Sequence, residues 1–160
     1  MLPLKEAQHQ GFDQVLWTDG IEHKYAQEIG TMNVFFIIDD VAITPDLDGT
    51  ILDGVTRDSV ITLLKSYGVK VEERKISLDE VEAAHQNGFL AEAFGTGTAA
   101  SIASISHIGY KGLTMELPPV EKGTYSNRLK KDLEEIKTGK VTDPYGWVTK
   151  VKSKLVLEEA

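Results

Sequence analysis

The sequence predicts one α+β domain built on a mixed sheet, and three observations carry the prediction. Apolar and aromatic runs of strand length alternate with amphipathic stretches of helical period. Two of those runs, at 33–39 and 41–44, are joined tightly around Asp39-Asp40, as in a meander. No linker rich in Pro, Gly or Ser, no internal repeat and no low-complexity tract interrupts the 160 residues, a length that suits about one domain.

Taken in order, residues 2–10 read as the last turns of a helix stopped by Gly11, and residues 14–18 as a first strand ahead of the pair at 33–39 and 41–44. A helix over 57–67 places Val60, Ile61, Leu63, Leu64 and Tyr67 on one broad face and ends at Gly68. A strand at 70–76, a short helix over 79–87 stopped by Gly88 and an apolar stretch at 90–94 continue the alternation, so the sheet is expected to be mixed rather than purely parallel. Beyond Ser104 the pattern gives a hairpin through Tyr110-Lys111-Gly112, then a polar helix over 125–137 ended by Gly139. The tail after Lys150 is expected to fray. In domain terms, 1–12 reads as the remnant of an upstream helix, 13–151 as the folded domain and 152–160 as tail.

Composition narrows the function classes. Hydrophobic residues at 41% and charged residues at 26% are ordinary for a globular protein, and no apolar run approaches the roughly 18 residues of a membrane span. The absence of cysteine removes disulfides and thiolate metal sites, and the opening MLPLKEAQHQ lacks the basic start and apolar core of a signal peptide, so a cytoplasmic location is expected. A formal charge of −8, with lysines scattered among acids, argues against nucleic acid. His9, His23, His85 and His107 show no metal-site spacing, the acids of 79–82 and 132–135 read as solvated helix faces, and Trp17 and Trp147 as packing residues.

Three motifs carry chemistry. In Glu28-Ile29-Gly30-Thr31-Met32-Asn33 a carboxylate stands at the mouth of a core strand, where it calls for a cationic partner. In Leu52-Asp53-Gly54-Val55-Thr56-Arg57 a glycine turn delivers the chain into a helix whose first amides suit an anion, although Thr56 as a plain N-cap also explains the pattern. In Phe94-Gly95-Thr96-Gly97-Thr98-Ala99-Ala100 small residues after a strand let amides and hydroxyls approach an anion, and a plain tight turn explains it as well. It is neither a dinucleotide fingerprint nor a P-loop. Together the three describe a ligand with a phosphate and a cationic ring atom.

With these residues the chain resembles the C-terminal portion of the branched-chain amino acid aminotransferases, enzymes of the pyridoxal phosphate fold type IV. QVLWTDG, EIGTMNVFF, TILDGVTRDSV, VEERKIS, FGTGTAA and DPYGWV stand in that family's order between Gln14 and Val151. The TMN form is similar to branched-chain enzymes rather than to D-amino acid aminotransferases or aminodeoxychorismate lyases, the alternatives within the fold type. A non-catalytic module for phosphorylated ligands is the alternative outside it. The resemblance implies a curved mixed sheet with surrounding helices, pyridoxal phosphate as cofactor, amino acids and 2-oxo acids as substrates, and a homodimer when full length.

Position by position, the resemblance implies that Glu28 bonds the pyridine nitrogen, that Thr31 lies near the phenolate oxygen, and that Leu52 packs on the ring. Gly54, Val55, Thr56 and Thr98 then match the phosphate site, and Thr98 with Ala99 the turn for the substrate carboxylate. Asp53 stands where many relatives have proline, and Ala100 and Ala103 where some have a CxxC pair. The family's Schiff-base lysine precedes an Asn-Tyr pair and would fall before Met1. Lys5 is too close to Glu28 and has no Asn-Tyr after it, so the chain is expected to be an inactive fragment.

Overall fold

The computed structural model describes residues 2–151, and the expected tail beyond 151 lies outside them. A seven-stranded sheet organises the chain. Its central strand β3 (Met32–Ile38) follows β1 (Leu16–Thr18) and β2 (Ala26–Ile29), and precedes β4 (Val41–Thr44). The β3–β4 turn is Asp39-Asp40, with φ of +49° and +59°. Aspartate tolerates the left-handed values a type I′ hairpin requires. After β4, helix α2 (Val55–Ser66) crosses over to β5 (Lys70–Glu73), which pairs parallel to β4. Helix α3 (Leu78–Gln86) leads to β6 (Leu90–Gly97), which returns antiparallel along the free side of β3 and carries β7 (Ser101–Ser104) on its far side. The sheet is therefore mixed, as the sequence predicts. A separate hairpin, β8 (His107–Tyr110) and β9 (Leu113–Glu116), and helix α4 (Tyr125–Lys137) complete the fold with the first helix, α1 (Leu2–His9).

Alternation along β3 sends its side chains into two cores. Phe35 and Ile37 join Phe94, α2 and α4, where Phe35 and Phe94 stack with centroids 5.3 Å apart. Val34 and Phe36 join α3, Leu90 and the β8–β9 hairpin. Both layers are needed because β3 is apolar on both faces. Buried Glu92 of β6 accepts from the amides of Tyr125 and Ser126 and from the Ser126 hydroxyl, so a strand carboxylate caps α4.

The acids read as solvated faces also tie elements together. Asp79 accepts from Tyr110 and Lys111 at the β8–β9 turn, and Asp132 accepts from Tyr67 at the end of α2. Both burial and the Asp132 bond push the Tyr67 phenol well above its ordinary range, burial being the larger cause. Trp17 is half-buried and Trp147 stacks on Tyr145. Among the described residues no helix is long and apolar enough to cross a membrane.

The structure corrects several expected boundaries. Strands β2 and β7 fall where none was expected, β5 stops at Glu73 rather than residue 76, and β6 runs on to Gly97. The expected strand at 14–18 shortens to β1, and α3 starts a residue earlier behind Ser77, whose hydroxyl accepts from the Glu80 amide.

Candidate functional site

Strands β2 and β3 meet at a two-residue turn, Gly30-Thr31, so Ile29 stands opposite Met32 and Glu28 opposite Asn33. Gly30 takes a φ of +58°, and the Trp17 indole donates to its carbonyl at 3.0 Å. Across the other edge of β3, Asn33 stands opposite Thr96 of β6. Residues directly opposite on antiparallel strands share a face, so Glu28, Asn33 and Thr96 form a row across three strands spanning roughly 10 Å.

The loop before α2 closes over that row. The Asn33 amide donates to the Leu52 carbonyl at 2.8 Å, and the Leu52 N–H donates to Glu28 Oε1 at 3.3 Å, so Leu52 is clipped from both sides. Gly54 follows with an ordinary φ of −77°. Space rather than conformation demands glycine there, because a Cβ would collide with Asn33 Oδ1. The helix starts at Val55 with Gly54 as its N-cap and no side-chain cap, which corrects the reading of Thr56 as the cap and leaves the first amides uncapped by any side chain. Buried Arg57 ties this helix start to the sheet by donating to the Pro45 carbonyl at 3.0 Å and to Glu73 at 2.9 Å.

Row, loop and helix start enclose a cleft of about 60 Å³. Glu28, Thr31, Leu52, Gly54, Val55, Thr56 and Thr98 all line it, so the structure brings together every residue the sequence nominated for the cofactor. Ala99, nominated for the carboxylate, sits exposed in the β6–β7 turn and does not line it. Leu52 and Val55 are 69% and 85% exposed, apolar walls at the mouth. Asn33, to which the sequence reading gave no role, and Thr96, one of the two hydroxyls of FGTGTAA it offered to an anion, supply the buried polar floor. Among the described residues Glu28 pairs with the Leu52 amide and with no cationic side chain. Two larger hollows, about 430 and 500 Å³, lie by Phe12 and Ile105, but neither has this convergence of carboxylate, hydroxyls and an uncapped helix start.

The glycines of FGTGTAA also serve a purpose beyond the one expected. A Cβ on either glycine would point to the face behind the cleft, 3.0 Å from Ile29 Cγ2 at Gly95 and 2.9 Å from Met32 Cγ at Gly97, while the backbone of Gly97 itself lines the cleft. They make room for side chains on the opposite face, and Thr96 between them lines the cleft.

Such a cleft suits an anion at the helix start and a cation beside Glu28. The model of the family described as amino-transferase class IV matches residues 1–108. This chain belongs to that family. Among relatives of the same class, branched-chain-amino-acid aminotransferase 2 of Bacillus subtilis is 48% identical over 145 residues, which are 91% of this chain and 40% of that protein. The chain thus spans about 40% of the length of the curated relatives it matches. Among solved structures, the branched-chain amino acid aminotransferase from Thermobaculum terrenum in its PLP holo-form superposes with a TM-score of 0.69 at 30% identity, covering 83% of this chain and 40% of that one. An aminotransferase from Brucella abortus bound to the cofactor PLP gives 0.66 at 30% identity, covering 82% and 42%.

Asn33 could have been found from sequence. Once Gly30-Thr31 is read as a two-residue hairpin turn, Glu28 and Asn33 must face each other. The motif singles out the Thr96 hydroxyl, but its place beside Asn33 depends on the long-range pairing of β6 with β3.

Proposed function

We propose that this chain is the pyridoxal phosphate-binding part of a branched-chain amino acid aminotransferase, a homodimer when full length, that transfers the amino group of leucine, isoleucine or valine to 2-oxoglutarate. The observation that carries the reading is the single cleft in which Glu28, Leu52, the α2 start and the Thr96–Thr98 segment converge. These residues fit the cofactor on their own chemistry. A carboxylate stands at one end for a protonated ring nitrogen, an uncapped helix N-terminus and hydroxyls stand elsewhere for a phosphate, and exposed Leu52 offers an apolar wall for a ring.

Pyridoxal phosphate, when bound, supplies the electron sink for bond breaking at the substrate Cα. Glu28, positioned by the Leu52 N–H, holds the ring nitrogen's proton by favouring the charged form. Gly54 admits the phosphate close to the backbone, and the amides of Val55 and Thr56 with the Thr98 hydroxyl bind it, while Thr31 serves the phenolate oxygen. The turn at Thr98 and Ala99 receives the substrate carboxylate. Moving the Cα proton needs an amine base, and among the described residues no lysine lines the cleft, while Lys5 is exposed on α1. The isolated chain is therefore inactive.

Titrating the purified chain with pyridoxal phosphate tests this, read by the amide NMR signals of Val55 and Thr56. Weak, saturable, non-covalent binding is expected, reduced about tenfold in Glu28→Gln, with no borohydride-trapped lysine and no transamination. Unmoved amide signals would sink the cofactor assignment. Measurable transamination by the chain would sink its inactivity.

A further inference from the structure

We infer that the Thr96 hydroxyl is a ligand-binding group of the cleft, donating a hydrogen bond to the phosphate held by the start of α2; the inference rests on the cofactor reading above. Thr96 is 1% exposed, and among the described residues its Oγ1 has no hydrogen-bond partner. Buried hydroxyls without partners are rare because they lose water and gain nothing in return. The contrast with Thr44, also wholly buried in the same sheet, is direct. Its hydroxyl donates to the Val34 carbonyl at 2.8 Å. Buried Ser126 is likewise satisfied, by Glu92. Packing alone would be served at position 96 by valine, which has the same shape without the hydroxyl.

Position says what the hydroxyl is for. Thr96 lines the cleft at the end of the row farthest from Glu28, two strands away and two residues before Thr98. It therefore belongs to the end where an anion is held, not to the ring-nitrogen end. Its neighbour in the row, the Asn33 amide, already gives one of its two N–H groups to the Leu52 carbonyl, whereas among the described residues the Thr96 hydroxyl is wholly unengaged. A hydroxyl donating to a phosphate oxygen makes a charge-assisted bond, the stronger kind.

The test compares the wild-type chain with Thr96→Val and Thr96→Ser, using pyridoxal phosphate, inorganic phosphate and phosphate-free pyridoxal as probes. Thr96→Val is expected to weaken both phosphate-bearing probes about tenfold and leave pyridoxal unchanged, with Thr96→Ser close to wild type. Without ligand, Thr96→Val is expected to raise Tm by roughly 3 °C, because it removes an orphaned polar atom. A valine variant that binds phosphate as well as wild type, or that melts lower without ligand, overturns the inference and leaves the cofactor reading intact. A wild-type chain that binds neither phosphate-bearing probe overturns both.

Discussion

The two faces of one short strand segment have been put to opposite uses. On the cleft face stand Glu28, Asn33 and Thr96, polar and convergent; on alternate residues stand Ile29, Met32, Gly95 and Gly97, apolar and closely fitted on the face behind, although the backbone of Gly97 also reaches the cleft. The packing face fixes the chemical one. Met32 lies over the two glycines, and this close fit holds β6 against β3 in the register that sets Thr96 beside Asn33. Because side chains alternate with period two, a one-residue slip would exchange the faces entirely.

The largest effect is expected from disturbing the packing face. Gly97→Ala puts a Cβ 2.9 Å from Met32 Cγ, and such overpacking is expected to cost about 2 kcal/mol and lower Tm by roughly 4–8 °C. In a Met32→Ala background the same substitution should cost much less, since the smaller side chain leaves room. A denaturation double-mutant cycle measures the coupling. Additive losses would show that the glycines are not there to receive Met32.

Most of the scaffold was legible in the sequence. Helix α2 announces itself by apolar period and all of α2, α3 and α4 by a terminal glycine, and the β3–β4 hairpin by Asp39-Asp40 between apolar runs. Strands β2, with Ala26-Gln27-Glu28-Ile29, and β7, with Ser101-Ile102-Ala103-Ser104, were hidden because their residues have little strand preference of their own. They are strands because β1, β3 and β6 offer hydrogen-bonding edges. The lining of the cleft was legible where it rests on local backbone, as at Gly54 and Thr56, and through resemblance at Glu28. At Thr96 the motif offered the hydroxyl but not its place, which depends on a partner strand some sixty residues earlier in the chain.

A middle-sized effect is expected on the cleft face. Asn33→Ala removes the bond to the Leu52 carbonyl and is expected to cost about 1 kcal/mol of stability. Freed from one of its two clips, the 52–54 turn should then bind pyridoxal phosphate several-fold more weakly. Comparing Asn33→Ala with Gly97→Ala separates the faces: the first should move affinity more than Tm, the second Tm more than affinity. If both variants shift the two readouts in the same proportion, the division of labour is wrong.

The smallest effect concerns β2, which carries a residue for each face, Glu28 and Ile29, and has only four residues to hold its register. The loop before it helps. The Asp19 carboxylate accepts from the amides of Ile21, Glu22, Lys24 and Tyr25, at 2.6 to 3.3 Å. Those bonds, Tyr25's first, hold its pKa well below the ordinary aspartate value of 3.8. A carboxyl depressed in the folded state contributes stability that is complete above its unfolded pKa and fades as pH falls through the folded one. Asp19→Asn should therefore melt slightly below wild type at pH 7, and the gap should narrow as pH falls below about 4. Thermal melts of both proteins between pH 7 and pH 2.5 read it. A second readout at pH 7 comes from the register itself, because a loosened β2 should broaden the amide signals of Glu28 and Ile29 together, one on each face. Broadening of Glu28 alone would mean that the loop serves the cleft and not the strand.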